Sequence, residues 1–136
     1  MTRPGLWALA GVSGVLGVWA LAWPHGFYVN FPWPGRHWVS MLPAYNEHLL
    51  RDFGGLNLAF TVMFAVAAVR LDRLLTRTLL TGYLCFAVPH LLFHLFHLGH
   101  FSTFDALGQT VSLVALVVLP LTVLLADLRA ARATRE

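Results

Sequence analysis

Apolar residues in this chain fall into four long runs, at positions 6–23, 49–71, 79–98 and 106–126. A hydrocarbon core about 30 Å thick takes roughly 20 apolar residues of helix, so each run is long enough, or nearly so, to cross a bilayer. The polar positions are not scattered among these runs. Glu47-His48-Leu-Leu-Arg51-Asp52 opens the second, and His90-Leu-Leu-Phe-His94-Leu-Phe-His97-Leu-Gly-His100 closes the third. The pattern predicts an all-α fold: an integral membrane antiparallel four-helix bundle forming a single transmembrane domain over residues 1–136. Ala20-Leu21-Ala22 resembles a signal-peptide cleavage site, but we read the first run as a retained span.

Arginine positions set the direction. With four spans, Arg3, Arg70, Arg73, Arg77, Arg129, Arg132 and Arg135 fall on one side and only Arg36 and Arg51 on the other. Basic residues favour the cytoplasmic side, so both termini are expected to be cytoplasmic. Residues 72–78 then form a short inner turn, while 24–44 and 99–103 lie outside. The outer segment 24–44 carries Pro24, Pro32, Pro34 and Pro43 with Trp33 and Trp38 between them. Proline forbids a long helix there and tryptophan favours the headgroup zone, which suggests either an interfacial loop or a lid along the bilayer surface.

Composition narrows the class without changing it. The 136 residues are 58% hydrophobic and 11% charged, and the chain contains no lysine. Mean hydropathy is +0.70. The arginines sit in short flanking segments, with no basic stripe or stacking platform, so nucleic acid is not an expected partner. Cys85 stands alone inside an apolar run, which rules out an internal disulfide and reads as a small core residue.

Ionisable side chains at membrane depth are costly unless paired, and so they mark function. On an antiparallel bundle the Glu47–Asp52 group and the His90–His97 group share the outer layer. His90, His94 and His97 fall within about 60° of one another on a helix. His48 and Asp52 share a face at i, i+4, and Gly55 and Ala59 continue that face. Small residues admit a neighbouring helix, which would point His48 and Asp52 inward. Asp105, Gln109 and Ser112 follow the same spacing at the outer end of the last span. Glu47 has a second reading as an ion pair with Arg51, and Asp105 as part of a capping box with Ser102. Asn57 lies on the opposite face from His48 and reads as a helix-joining polar residue, and Gly11, Gly14 and Gly17 as packing positions.

Imidazole and carboxylate donors suit a transition metal ion, namely iron, copper or zinc. His48, Asp52, His90 and His94 form the expected ligand core, with His97 a further ligand and with Asp52 and Glu47 as catalytic or proton-carrying groups. Haem held by His48 and His90 or His94 is an alternative cofactor, although no C-x-x-C-H attachment motif is present. The expected function is metal-dependent redox chemistry on a lipophilic or small substrate such as a quinone, at a cell-membrane site facing away from the cytoplasm. A haem electron-transfer protein, an accessory subunit of a membrane oxidoreductase and a metal-free acid–base enzyme are alternatives. Partners would be the lipid bilayer and either a second copy or a larger membrane complex.

Three stretches carry a resemblance: Arg36-His37-Trp38-Val39, Tyr45-Asn46-Glu47-His48-Leu-Leu-Arg51-Asp52-Phe-Gly54-Gly55, and Pro89-His90-Leu-Leu-Phe-His94-Leu-Phe-His97-Leu. In these the chain resembles the DoxX-like group of small four-helix membrane proteins and a set of uncharacterised actinobacterial membrane proteins. The resemblance implies a four-helix bundle and, for some members, association with quinone-linked oxidoreductases. It supplies no catalytic residues, because the histidine stripe is not a general feature of that group.

Overall fold

The computed structural model describes residues 2–133, with side chains through residue 131. It is all-helical: α1 (Thr2–Ala22), α2 (Pro24–Asn30), α3 (Glu47–Arg70), α4 (Arg73–Leu95) and α5 (Thr103–Ala133), with a single 3₁₀ turn at Leu98–His100. Four of these helices, α1, α3, α4 and α5, are long and apolar enough to cross a membrane. Local chemistry sets their ends. Asn46 caps α3 by accepting the Leu49 N–H at 3.1 Å. The helix stops at Leu71, which turns left-handed (φ 52°) and bonds its N–H back to Ala67 O. Asp72 then caps α4 through the Leu75 N–H at 2.7 Å. The turn is therefore two residues long, not the seven of 72–78, because Asp72 starts the helix at once.

The α1–α3 pair is the tightest in the bundle, and glycine explains why. A Cβ on Gly54 would lie 2.6 Å from Leu21 N and 3.0 Å from Gly17 O; one on Gly17 would lie 2.9 Å from Leu58 N. Only hydrogen fits where two backbones come this close. Farther along, Arg3 Nε donates to Ala68 O at 3.2 Å. Contacts thus climb α1 as they descend α3. Leu6, Leu9, Phe60, Phe64, Leu80, Tyr83 and Val123 build the core. A smaller cluster of Ala20, Phe27 and Leu50 sits beneath Trp19, Phe31 and Phe53.

Helix α4 packs chiefly on α5, and the consecutive helices α3 and α4 touch little. Their contact runs through Phe60 and Phe64 against Tyr83, with ring centroids 5.1 and 5.2 Å apart. A two-residue turn ties only the near ends of α3 and α4; the glycine seam draws α3 towards α1 instead.

Ion pairs fix α5 at two levels. Near its end, Arg77 Nε meets Asp127 Oδ2 at 2.6 Å. Near its start, Arg36 Nη1 meets Asp105 Oδ1 at 3.1 Å. Arg3, Arg70, Arg73, Arg77 and Arg129 lie towards the Asp127 end of the bundle; Arg36 and Arg51 lie towards the Asp105 end. Arg132 is described in backbone only, and Arg135 lies outside the described residues.

Candidate functional site

The buried face of α3 is formed by Leu50, Gly54, Asn57, Phe60, Phe64, Ala67 and Ala68. His48 and Asp52 are off that face. Their side chains are 88% and 63% exposed, and they pair with each other, His48 Nδ1 to Asp52 Oδ2 at 3.2 Å. The expectation that they point inward rested on Gly55 and Ala59 as the packing stripe. Gly54 carries the packing instead; a Cβ on Gly55 would meet nothing within 4 Å, and Ala59 is exposed. A shift of one residue is about 100° on a helix, enough to turn a polar stripe from the interior to the surface. Asn57 is buried, and its Nδ2 donates to Phe53 O of its own helix at 2.9 Å.

Glu47 takes its ion-pair role. Its Oε1 accepts from Arg51 Nε at 2.9 Å, and Arg51 Nη1 donates to Leu21 O at 2.6 Å. The pair thereby fastens the start of α3 to the last turn of α1. Tyr45 Oη donates to Glu47 Oε2 at 3.4 Å. Desolvation, followed by the Glu47 carboxylate, pushes the Tyr45 phenol above its usual pKa.

On α4 the histidines divide into two groups. His90 stacks on Phe86 (5.5 Å between centroids, 16° between planes) and meets the edge of His94 at 4.7 Å. Both rings are half-buried. His94 reaches across to α5, where its Nδ1 lies 2.7 Å from Gln109 Oε1. Gln109 is only 2% exposed, and its Nε2 is buried with no partner among the described residues. His97 does not continue the stripe, because α4 ends at Leu95. Its Nδ1–H donates to Phe93 O at 2.6 Å and its ring stacks on Phe93 at 4.1 Å. His100 lies in the 3₁₀ turn and is exposed.

Sequence reasoning left one cluster unread. Trp38 is buried against α5, its ring 3.0 Å from where a Gly108 Cβ would stand. Its Nε1–H donates to Asp105 Oδ1 at 2.9 Å. Asp105 also accepts from Arg36 Nη1 (3.1 Å) and from Ser102 Oγ (2.7 Å). The Arg36 guanidinium lies 4.6 Å from the Phe104 ring centroid. Ser102 Oγ does accept the Asp105 N–H, at 3.2 Å, as the N-cap half of a capping box, and the Asp105 carboxylate also latches segment 31–46 onto α5. Gly108, three residues after Asp105, was the available sign of a large ring docking there.

Among the described residues, no group of three or more His, Cys, Asp or Glu side chains is placed to hold a metal ion. The His48–Asp52–His90–His94 set is therefore not assembled in this arrangement. Of that set, only His90 and His94 lie side by side, one turn apart with ring centroids 4.7 Å from each other. A metal-bound imidazole usually donates its other N–H to a carbonyl or carboxylate, and Gln109 Oε1 accepts from His94 Nδ1–H in that manner, leaving Nε2 available. The unpaired Gln109 Nε2 is a donor that an oxygen carried by the ion would satisfy. Haem bridged between His48 and α4 fits less well, since His48 is engaged at the surface.

No family model, curated protein or solved structure matches the chain, so the DoxX-like resemblance rests on the residues quoted for it.

Proposed function

We propose that this chain spans the cell membrane four times as an antiparallel bundle with both termini cytoplasmic. On this reading it carries a transition metal ion on the His90–His94 face of α4, in the half of the bilayer away from the cytoplasm, and serves redox chemistry on a lipophilic or small substrate. The observation that carries the proposal is the 2.7 Å contact between His94 Nδ1 and the buried Gln109 amide. With Nδ1–H donating to that amide oxygen, the contact would leave His94 Nε2 free and oriented as a ligand needs.

The protein's own residues act in distinct ways here. His94 presents Nε2, and His90, fixed by stacking on Phe86, supplies the second nitrogen one turn earlier. Gln109 orients the first and offers its spare N–H to an oxygen ligand. Two protein nitrogens leave positions open for water or substrate, and a bound ion would supply Lewis acidity or one-electron chemistry. His48, Asp52 and Glu47 fall outside this smaller site.

Elemental mass spectrometry decides the matter, on protein purified in mild detergent without added metal or chelator. Near-stoichiometric iron, copper or zinc is expected, lost in His90→Ala and His94→Ala and kept in His48→Ala and Asp52→Asn. Loss in the last two would restore the larger ligand set. Absence of metal from the wild-type chain, even after loading, would overturn the proposal. The topology is separable: a reporter fused at the C-terminus should behave as cytoplasmic.

A further inference from the structure

Cationic charge is unevenly matched between the two ends of the bundle. At the Asp105 end both arginines are committed, Arg36 to Asp105 and Arg51 to Glu47. At the Asp127 end, Arg77 is neutralised by Asp127. Arg3, Arg70, Arg73 and Arg129 are exposed there, and none has a carboxylate partner among the described residues. Asp72, the other described acid at this end, is engaged in capping α4. Arg3 and Arg70 flank the α1–α3 seam, since Arg3 Nε reaches Ala68 O. Arg73 stands one turn before Arg77, and Arg129 two residues after Asp127, so the second pair flanks the α4–α5 cross-link.

Next to these guanidinium groups lies apolar surface. Val69 is 65% exposed and Leu74 77%, with Leu71 and Leu128 also open. A soluble anion would need only the charges, and a nucleic acid would find hydrocarbon beside its phosphates. A phosphodiester joined to acyl chains matches both halves of the surface. Guanidinium donates to phosphate oxygens in a fixed, bidentate fork that an ammonium lacks. We infer that the rim formed by Arg3, Arg70, Arg73 and Arg129 binds the headgroup of anionic phospholipid, whose chains lie along Val69, Leu74 and Leu128. The inference rests on the membrane-spanning reading proposed above: four helices long and apolar enough to cross a membrane would put this rim at headgroup depth.

The inference is independent of the metal site and is tested on the full chain by native mass spectrometry in detergent. Phosphatidylglycerol and phosphatidylcholine with identical chains are titrated in turn. Each basic side chain near an anionic surface contributes about fivefold in affinity, so Arg73→Gln/Arg129→Gln and Arg3→Gln/Arg70→Gln should each weaken phosphatidylglycerol binding by about thirtyfold. Phosphatidylcholine binding should not change. Should a variant fail to fold, the wild-type preference for phosphatidylglycerol over phosphatidylcholine decides alone. Equal binding of the two lipids, or full retention of phosphatidylglycerol in the fourfold variant, would overturn the inference. Displacement of the lipid by an equal concentration of inorganic phosphate would do the same, by making the rim a free-anion site.

Discussion

His94 and Gln109 are joined across α4 and α5 by a 2.7 Å contact between Nδ1 and Oε1, which ties a histidine of α4 to another helix. Gln109→Leu removes the acceptor and leaves the ring free to rotate. Loss of such an orienting partner commonly lowers metal affinity about 10–100-fold. Competition titration against a chelator should show that loss while helical content is unchanged, and Gln109→Glu, which keeps an acceptor oxygen, should preserve binding. Unchanged affinity in Gln109→Leu would assign the amide to packing alone.

Asp105 accepts from Trp38, Arg36 and Ser102 at once, so Asp105→Ala strands three donors. Each unsatisfied group that stays buried costs about 1–3 kcal/mol. Segment 31–46 should come away from α5, seen as a red-shifted tryptophan emission and faster proteolysis at Arg36. Gly108→Leu should act in the same direction, because its side chain would occupy the place of the Trp38 ring.

Replacing Gly54 with alanine places a methyl 2.6 Å from Leu21 N, and backbone cannot yield as a flexible side chain can. Overpacking of this kind costs about 1–3 kcal/mol. Thermal melting in detergent should fall for Gly54→Ala. Gly55→Ala, whose Cβ meets nothing within 4 Å, should melt at or above the wild-type temperature.

Leu71 holds φ at 52°, a region L-residues with a side chain enter at a cost of roughly 1–2 kcal/mol. Glycine there removes the strain but adds freedom to the unfolded chain. A net gain of about 0.5–1 kcal/mol is expected for Leu71→Gly, read as a higher melting temperature.

The four long helices were legible because length and hydropathy are properties of a run, insensitive to the exact residue. Their ends were less so. Asp72 starting α4 at once, and His97 falling beyond Leu95, depend on single caps. Rotation about the helix axis was the least legible. Gly54 and Gly55 adjoin in sequence yet face about 100° apart, and sequence alone does not say which one meets α1. That choice separated His48 and Asp52 from the histidines of α4. Partner choice was hidden for a related reason: the short turn suggested α3 against α4, while the close α1–α3 seam needs Gly17 and Gly54 to coincide in space. The latch of Trp38 on Asp105 joins residues 67 apart, beyond the reach of local pattern.

The two ion pairs on α5 make this helix a ruler. At 1.5 Å per residue, Asp105 and Asp127 stand about 33 Å apart, close to the roughly 30 Å of a bilayer's hydrocarbon core. If the chain spans a bilayer as proposed, charged pins at that spacing would not both stay in headgroup layers once the membrane thickened or thinned by much. The helix can tilt, or the lipid around it can stretch, at a cost of fractions of a kcal/mol per Å of mismatch. Such a chain would sort among membranes by their thickness, settling where both carboxylates and their arginines lie at the level of the phosphates.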